Sequence, residues 1–251
     1  ANVLAPDGEP MFDPYVIREF DGQKVAIIGM ALDTVPSIVI PSGVKGLTFE
    51  SEVDTINTYV EELQGKGIES IVVVVHEGGY PKDEDAVGLD SCPGLKGPIV
   101  DIVQNASDAV DAYLTGHTHQ TYNCKIDGKL VTSAKSYGRV LTRLQLAIDR
   151  ETGDVTEASA QNVAVRSDSP ANEEIAELVE DYAELAAEEA ERAVGQITET
   201  LERSPDESGE TELGRVIADS QLAATSSKGT GGAVVAFMNP GGIREPLTFE
   251  P

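Results

Sequence analysis

The sequence predicts an α/β fold followed by a smaller region of different character. Short apolar runs such as Ile71-Val72-Val73-Val74-Val75 alternate with stretches whose apolar residues recur at helical spacing. That alternation is the signature of a parallel or mixed sheet with covering helices. From Leu130 to Val165 the chain is instead a series of β-prone segments separated by turns, which predicts a β meander. At Ser169 the composition turns acidic and helical, marking a change of unit.

Taken in order, Tyr15-Val16-Ile17 and Lys24 to Gly29 read as two strands joined by an Asp21-Gly22 turn. Val53, Ile56, Val60 and Leu63 fall on one helical face, with Ser51 as N-cap and Gly65 as stop. The run before His76 shows no alternation and reads as a strand buried on both faces. Pro98 to Val103 gives a short helix, and the run before His117 another strand. Leu130 to Thr132, Val140 to Ile148 and Val155 to Val165 form the meander, turning at Asp127-Gly128 and Thr152-Gly153-Asp154. Ser169-Pro170 opens a long helix, closed by Gly195, with Ile175, Leu178, Val179, Tyr182, Leu185 and Ala186 on one stripe. It reads as a connector. Glu212 to Leu222 is a second amphipathic helix, residues 226–232 a loop, and Ala233 to Phe237 a buried strand running into Asn239-Pro240-Gly241-Gly242.

Composition excludes more than it identifies. A formal charge of −26, from 44 acidic against 18 basic residues, repels nucleic acid and anionic membrane surfaces. No stretch approaches a membrane span and no secretory leader opens the chain. Cys92 and Cys124 lack CxxC partners, which removes a redox motif or a zinc knuckle. They are either two buried thiols or a disulfide. The turn chemistry of Ser91-Cys92-Pro93-Gly94 and of Asn123 to Gly128 favours the disulfide, and with it a location outside the cytosol.

All three histidines follow apolar runs, His76 directly and His117 and His119 within Gly116-His117-Thr118-His119-Gln120. Ligand groups in α/β sheets gather where strands end, and neutral imidazole is a common ligand of divalent transition metals. Each histidine alone is more simply a strand cap or core residue; three of three at strand ends predict a metal site. Residues two apart in an extended segment point the same way, so His117 and His119 are expected to face one cleft with His76.

His76-Glu77-Gly78, Gly116 to Gln120, and Asn239-Pro240-Gly241-Gly242-Ile243-Arg244, in this order around an acidic helix, resemble the bacterial secreted 5′-nucleotidase family. The resemblance spans essentially the whole chain. It implies a partial metallophosphoesterase sandwich over residues 1–168, a linker helix over 169–195, and the first part of an α/β nucleotide-binding domain over 196–251. It also implies hydrolysis of nucleoside monophosphates, with 2′,3′-cyclic nucleotides or nucleotide sugars as further substrates. Two divalent cations, zinc or manganese, are implied as cofactors, with His76 and His117 as ligands of one and His119 of the other. Asn239, Gly241, Gly242 and Arg244 match the nucleoside-binding segment. The partner is thus a small nucleotide, and the location extracellular or in a bacterial cell envelope.

The departures from the family are specific. Its Asp-x-His, bridging aspartate and Gly-Asn-His-Glu motifs, and its catalytic histidine, have no counterpart from Ala1 onward. Gly209 stands where many members carry a substrate-binding arginine, and the aromatic residues that clamp the base would lie beyond Pro251. The chain therefore reads as a fragment, expected to be inactive alone and with no catalytic residue of its own. A non-catalytic secreted metal-binding or interaction module of the same fold is the alternative. A dinucleotide enzyme is disfavoured, because Ile27-Ile28-Gly29-Met30 offers one glycine where the phosphate fingerprint needs three.

Overall fold

The computed structural model describes residues 1–82 and 88–250, which divide into two units, Ala1–Pro170 and the residues from Ala171 onward. The first unit contains β1 (Val3–Leu4), β2 (Tyr15–Phe20), β3 (Gln23–Met30), α1 (Val35–Ile38), β4 (Thr48–Phe49), α2 (Glu52–Gly65), β5 (Ser70–Val75), α3 (Pro98–Asn105), β6 (Ala112–Thr115), β7 (Thr121–Ile126), β8 (Lys129–Ala134), β9 (Val140–Ile148) and β10 (Val155–Ala164). Its centre is a six-stranded mixed sheet in the order β2-β3-β5-β6-β8-β7. The four inner strands are parallel, and each edge strand is one arm of a hairpin. Asp21-Gly22 and Asp127-Gly128 make those hairpins, all four residues adopting the positive φ that a tight two-residue turn demands.

One face of the sheet, through Ile28, Ile71, Val73, Val75, Tyr113 and Val131, packs under α2 and α3, which contribute Ile56, Val60, Leu63, Ile99 and Val103. Ser51 caps α2 by accepting from the Asp54 amide, and Glu52 and Asp54 complement the positive end of the helix dipole. The helix ends at Gly65, as expected, with Lys66 as its C-cap and Gly67 at a φ of 72° turning the chain away. On the opposite face Val25, Val72, Ala112 and Leu130 pack against Leu144, Leu146, Ile148, Ala158 and Ala160 of the β9–β10 hairpin. That hairpin covers only part of the face: Val74 is 42% exposed, so the expectation of a strand buried on both sides is corrected at this position. The meander is corrected too, because β8 joins the central sheet while β9 and β10 pair only with each other.

Cys124 lies inside β7 and not in a loop, contrary to expectation. Tyr122 and Cys124 are both buried, two residues apart on the inward side of the strand, and only Asp127-Gly128 turns. Cys124 is bonded to Cys92. Beside this bridge sits Asn162, buried and absent from the sequence reading. Its amide group donates to the carbonyls of Leu89, Tyr122 and Ser133 and accepts from Thr132 and Thr142. Its backbone N–H donates to Asp90 Oδ1, which also accepts from Asn123.

The second unit contains α4 (Glu173–Ala190) and α5 (Glu212–Thr225). The long helix begins at an Asn172 cap, not at Ser169-Pro170, and ends at Ala190, ahead of Gly195. Its apolar stripe is exposed, Leu185 to 80%. Residues 233–237 form no strand, which overturns the expectation of a buried one: Val234 is 91% exposed. The bridge between Leu201 and Leu247 is the sole strand-like pairing among the described residues of this unit. An isolated apolar run has no sheet to join there, and a strand is stable only when paired.

Two outcomes follow from this unit-one architecture. Asp111, at the edge of β6, accepts from the Ile71 amide, and burial together with the Asp154 charge pushes its carboxyl up to about 7. A carboxyl held high in the folded state binds its proton more tightly there, so its contribution is complete below pH 4 and is lost as pH rises through 7. Asp111→Asn keeps the acceptor and removes the ionisation. The variant should match the parent near pH 4 and exceed it at pH 8 by about 1–2 kcal/mol after solvent screening, in denaturant melts. A pH-independent difference would refute this. For the Cys92–Cys124 bridge, with its separation of 32 residues, reduction should cost about 3–4 kcal/mol in the same melts, and unreduced protein should resist alkylation.

Candidate metal centre

The parallel strands end level with one another: Met30 pairs with Val75, Val75 with Thr115, and Thr115 with Ser133. The loops after them therefore meet at one end of the sheet, where α/β folds place their ligands. His76 is the first residue past β5, and its backbone N–H donates to the Met30 carbonyl at 3.0 Å. His117 follows β6. The two imidazoles stand edge to face, with ring centroids 5.2 Å apart and an interplanar angle of 67°. Beside them is a cleft of about 540 Å³ lined by Val3, Phe12, Met30, His76 and Gly116.

Close backbone packing fixes this pair. A Cβ on Gly78 would overlap the Gly116 carbonyl oxygen and lie 2.5 Å from Thr118 Oγ1. Gly97, at a φ of 129°, lets the chain before α3 come so near that a Cβ would sit 2.9 Å from the Gly79 Cα. Thr118 Oγ1 donates to the Gly79 carbonyl at 3.0 Å, and the Gly116 N–H donates to the Glu77 carbonyl at 3.2 Å. The buried Glu77 carboxylate accepts from the Gly78 N–H.

The expectation that His117 and His119 share an extended segment is corrected. β6 ends at Thr115, the Thr118 N–H turns back to the Gly116 carbonyl at 2.7 Å, and His117 and His119 both adopt left-handed backbone, with φ of 63° and 57°. Alternation holds only along a strand. His117 meets His76, while His119 lies against Tyr137, ring centroids 5.7 Å apart. Left-handed backbone costs a non-glycine residue roughly 1–2 kcal/mol. Outside the two Asp-Gly hairpins, the described non-glycine residues that bear it are His117, His119, Lys135 and Tyr137, all in the two loops at this end. Strain gathered in this way is typical of functional sites.

Partial burial and the neighbouring His117 hold the His76 imidazole below its ordinary pKa. That favours the neutral form, which is the form that ligates a metal. Two imidazoles on adjoining loops are a donor set suited to a divalent cation of intermediate softness. Among the described residues, no group of three or more His, Cys, Asp or Glu is arranged to hold a metal ion. The structure thus brings together two of the three expected ligands.

In the second unit, Asn239 Oδ1 accepts from the Gly241 N–H and caps a 3-10 turn over Pro240–Gly242. The Arg244 carbonyl accepts from Arg203, and Ile243 between them is buried. The segment borders a cavity of about 190 Å³ lined also by Gly209, Thr211, Arg215 and Phe237. Arg215, held by Asp206 and Glu210, was passed over in the sequence because nothing in a helical stretch marks one arginine as facing a cavity. Tyr137 was passed over because nothing in a loop sequence marks its ring as lying against His119.

No protein-family profile matches the chain. Endonuclease YhcR of Bacillus subtilis is 29% identical over 245 residues, covering 97% of this chain and 19% of that protein. Cell wall protein Lmo0130 of Listeria monocytogenes is 28% identical, with 94% and 32% covered. The trifunctional nucleotide phosphoesterase protein YfkN of Bacillus subtilis is 25% identical, with 92% and 15% covered. The chain spans less than a third of the length of these curated relatives. Among solved structures, a 5′-nucleotidase precursor from Thermus thermophilus shares the fold at a TM-score of 0.69 and 19% identity, covering 99% of this chain and 50% of that one. Several of the relatives and structural neighbours are named as 5′-nucleotidases, nucleotide phosphoesterases or a calcineurin-like phosphoesterase, and the chain is similar to a segment of such proteins.

Proposed function

We propose that this chain carries part of the metal site and part of the nucleoside site of a phosphoric monoester hydrolase acting on nucleotides. The observation that carries the reading is the facing pair of His76 and His117 at the ends of adjacent parallel strands. Two relatives named as a nucleotide phosphoesterase and an NAD 5′-nucleotidase support nucleotides as the substrate class; within it we propose 5′-nucleotides first, with 2′,3′-cyclic nucleotides and nucleotide sugars as further members.

His76 and His117 would hold one divalent cation, zinc or manganese, and His119, directed elsewhere, would serve a second. Such a cation, when bound, supplies an activated water and neutralises charge on phosphoryl oxygens. The protein's part is positional. Gly78 and Gly97 let the loops close, the Thr118 hydroxyl ties them, and partial burial favours the neutral form of His76. In the second unit, Asn239, Gly241, Gly242 and Arg244 would contact a nucleoside. With every histidine assigned to ligation, none remains to protonate a leaving alkoxide. Residues acting as a unit fail together, so this set alone supports little turnover.

A place outside the cytosol or in the cell envelope is supported by the cell wall relative and by the Cys92–Cys124 bond. No helix among the described residues is long and apolar enough to cross a membrane.

Calorimetry with zinc or manganese tests the reading. The chain should bind metal, and His117→Ala should bind at least about tenfold more weakly, a loss that even supporting groups produce. Gly78→Ala, which pushes the loops apart, should weaken binding without touching a ligand. Equal affinity in all three proteins would remove the histidines from the site. Residues 1–251 should release almost no phosphate from 5′-AMP with manganese, whereas a longer protein containing them and hydrolysing 5′-AMP should lose nearly all turnover on His76→Ala. Rapid phosphate release by the isolated chain would overturn the partial-site reading.

A further inference from the structure

We infer that Tyr137 is a positioning residue for His119, and that Arg139 in turn holds Tyr137. The metal-binding consequence rests on the proposed function; the contact itself does not. His119 diverges from the other two histidines, and its imidazole lies edge to face with the Tyr137 ring at 5.7 Å and 68°. Among the described residues, no hydrogen bond engages either ring nitrogen of His119. Neither nitrogen is committed to a partner among the described residues, while the plane of the ring is set by an aromatic neighbour. An imidazole fixed by carbon contacts alone can be oriented without spending a nitrogen on the task.

Tyr137 has no place in the core. It is 65% exposed, and its backbone takes a φ of 59° that a glycine would adopt freely and a tyrosine only at a cost. The loop that imposes this conformation is anchored on both sides. The Lys135 N–H donates to the carbonyl of Gln120, next to His119, at 2.9 Å, and the Val165 N–H donates to the Arg139 carbonyl at 2.9 Å. The Arg139 guanidinium lies over the Tyr137 ring, 5.3 Å from its centroid. A cation over the ring face leaves the ring few ways to turn, and His119 meets a ring already held. The π-system accounts for both contacts, so phenylalanine should replace tyrosine and alanine should not.

Three histidines in the chain make the test clean, since the imidazole resonances of labelled protein reduce to three sets. Tyr137→Ala should move the His119 ring signals and leave those of His76 in place; Tyr137→Phe should restore the parent position. In zinc calorimetry Tyr137→Ala should bind about five- to tenfold more weakly, the equivalent of one aromatic contact, with Tyr137→Phe within about twofold of the parent. An unmoved His119 signal in Tyr137→Ala would overturn the contact. A moved signal with unchanged zinc affinity would overturn the positioning role. If the parent chain itself binds no zinc, the proposed function fails instead, and the resonance comparison still decides the contact.

Discussion

Two loops meet at Gly78 with no side chain between them, and the histidine pair depends on that meeting. Neighbouring strands of any sheet lie about 4.8 Å apart, so residues leaving β5 and β6 at the same level start within reach of each other. Reach does not fix orientation. What fixes it here is that the Gly116 carbonyl and the Thr118 hydroxyl occupy the volume a Cβ of residue 78 would need. The sheet sets the spacing, the glycines allow contact, and the Thr118 hydroxyl closes it.

Much of the first unit was legible because its signals are local. Asp-Gly pairs encode their own turns, Ser51 encodes the start of α2, and unbroken aliphatic runs encode inner strands. The fate of His119 was not legible. Whether residues two apart point together depends on φ at each, and a Thr118 turning back to Gly116 leaves no periodic trace. β7 was hidden because its inward residues, Tyr122 and Cys124, alternate with polar ones in a segment rich in turn-forming types. Residues 233–237 failed in the opposite sense: the run is strand-like in composition, but strand formation is a property of pairs.

The second unit contrasts with the first in how its helices are sustained. The stripe on α4 from Ile175 to Leu185 is exposed, so packing contributes little to that helix. Local terms do more: the Asn172 cap, and Glu173 and Glu174 beside the positive end of the dipole. Capping also organises α5 through Thr211 and the Pro240–Gly242 turn through Asn239. The side chain of Asn239 therefore serves its own backbone as well as any nucleoside.

Asn162 joins parts of the first unit that are far apart in sequence. One side chain binds the carbonyls of Leu89, Tyr122 and Ser133 while its own strand pairs with β9. Releasing the β9–β10 hairpin from the sheet would strip the Asn162 amide from the carbonyls of Leu89, Tyr122 and Ser133 together, and buried groups left unpaired are penalised one by one. The hairpin and the stretch around Leu89 and Asp90 therefore cannot fray independently. They form a single cooperative opening unit in the native ensemble, and the disulfide at Cys92 lies at its border.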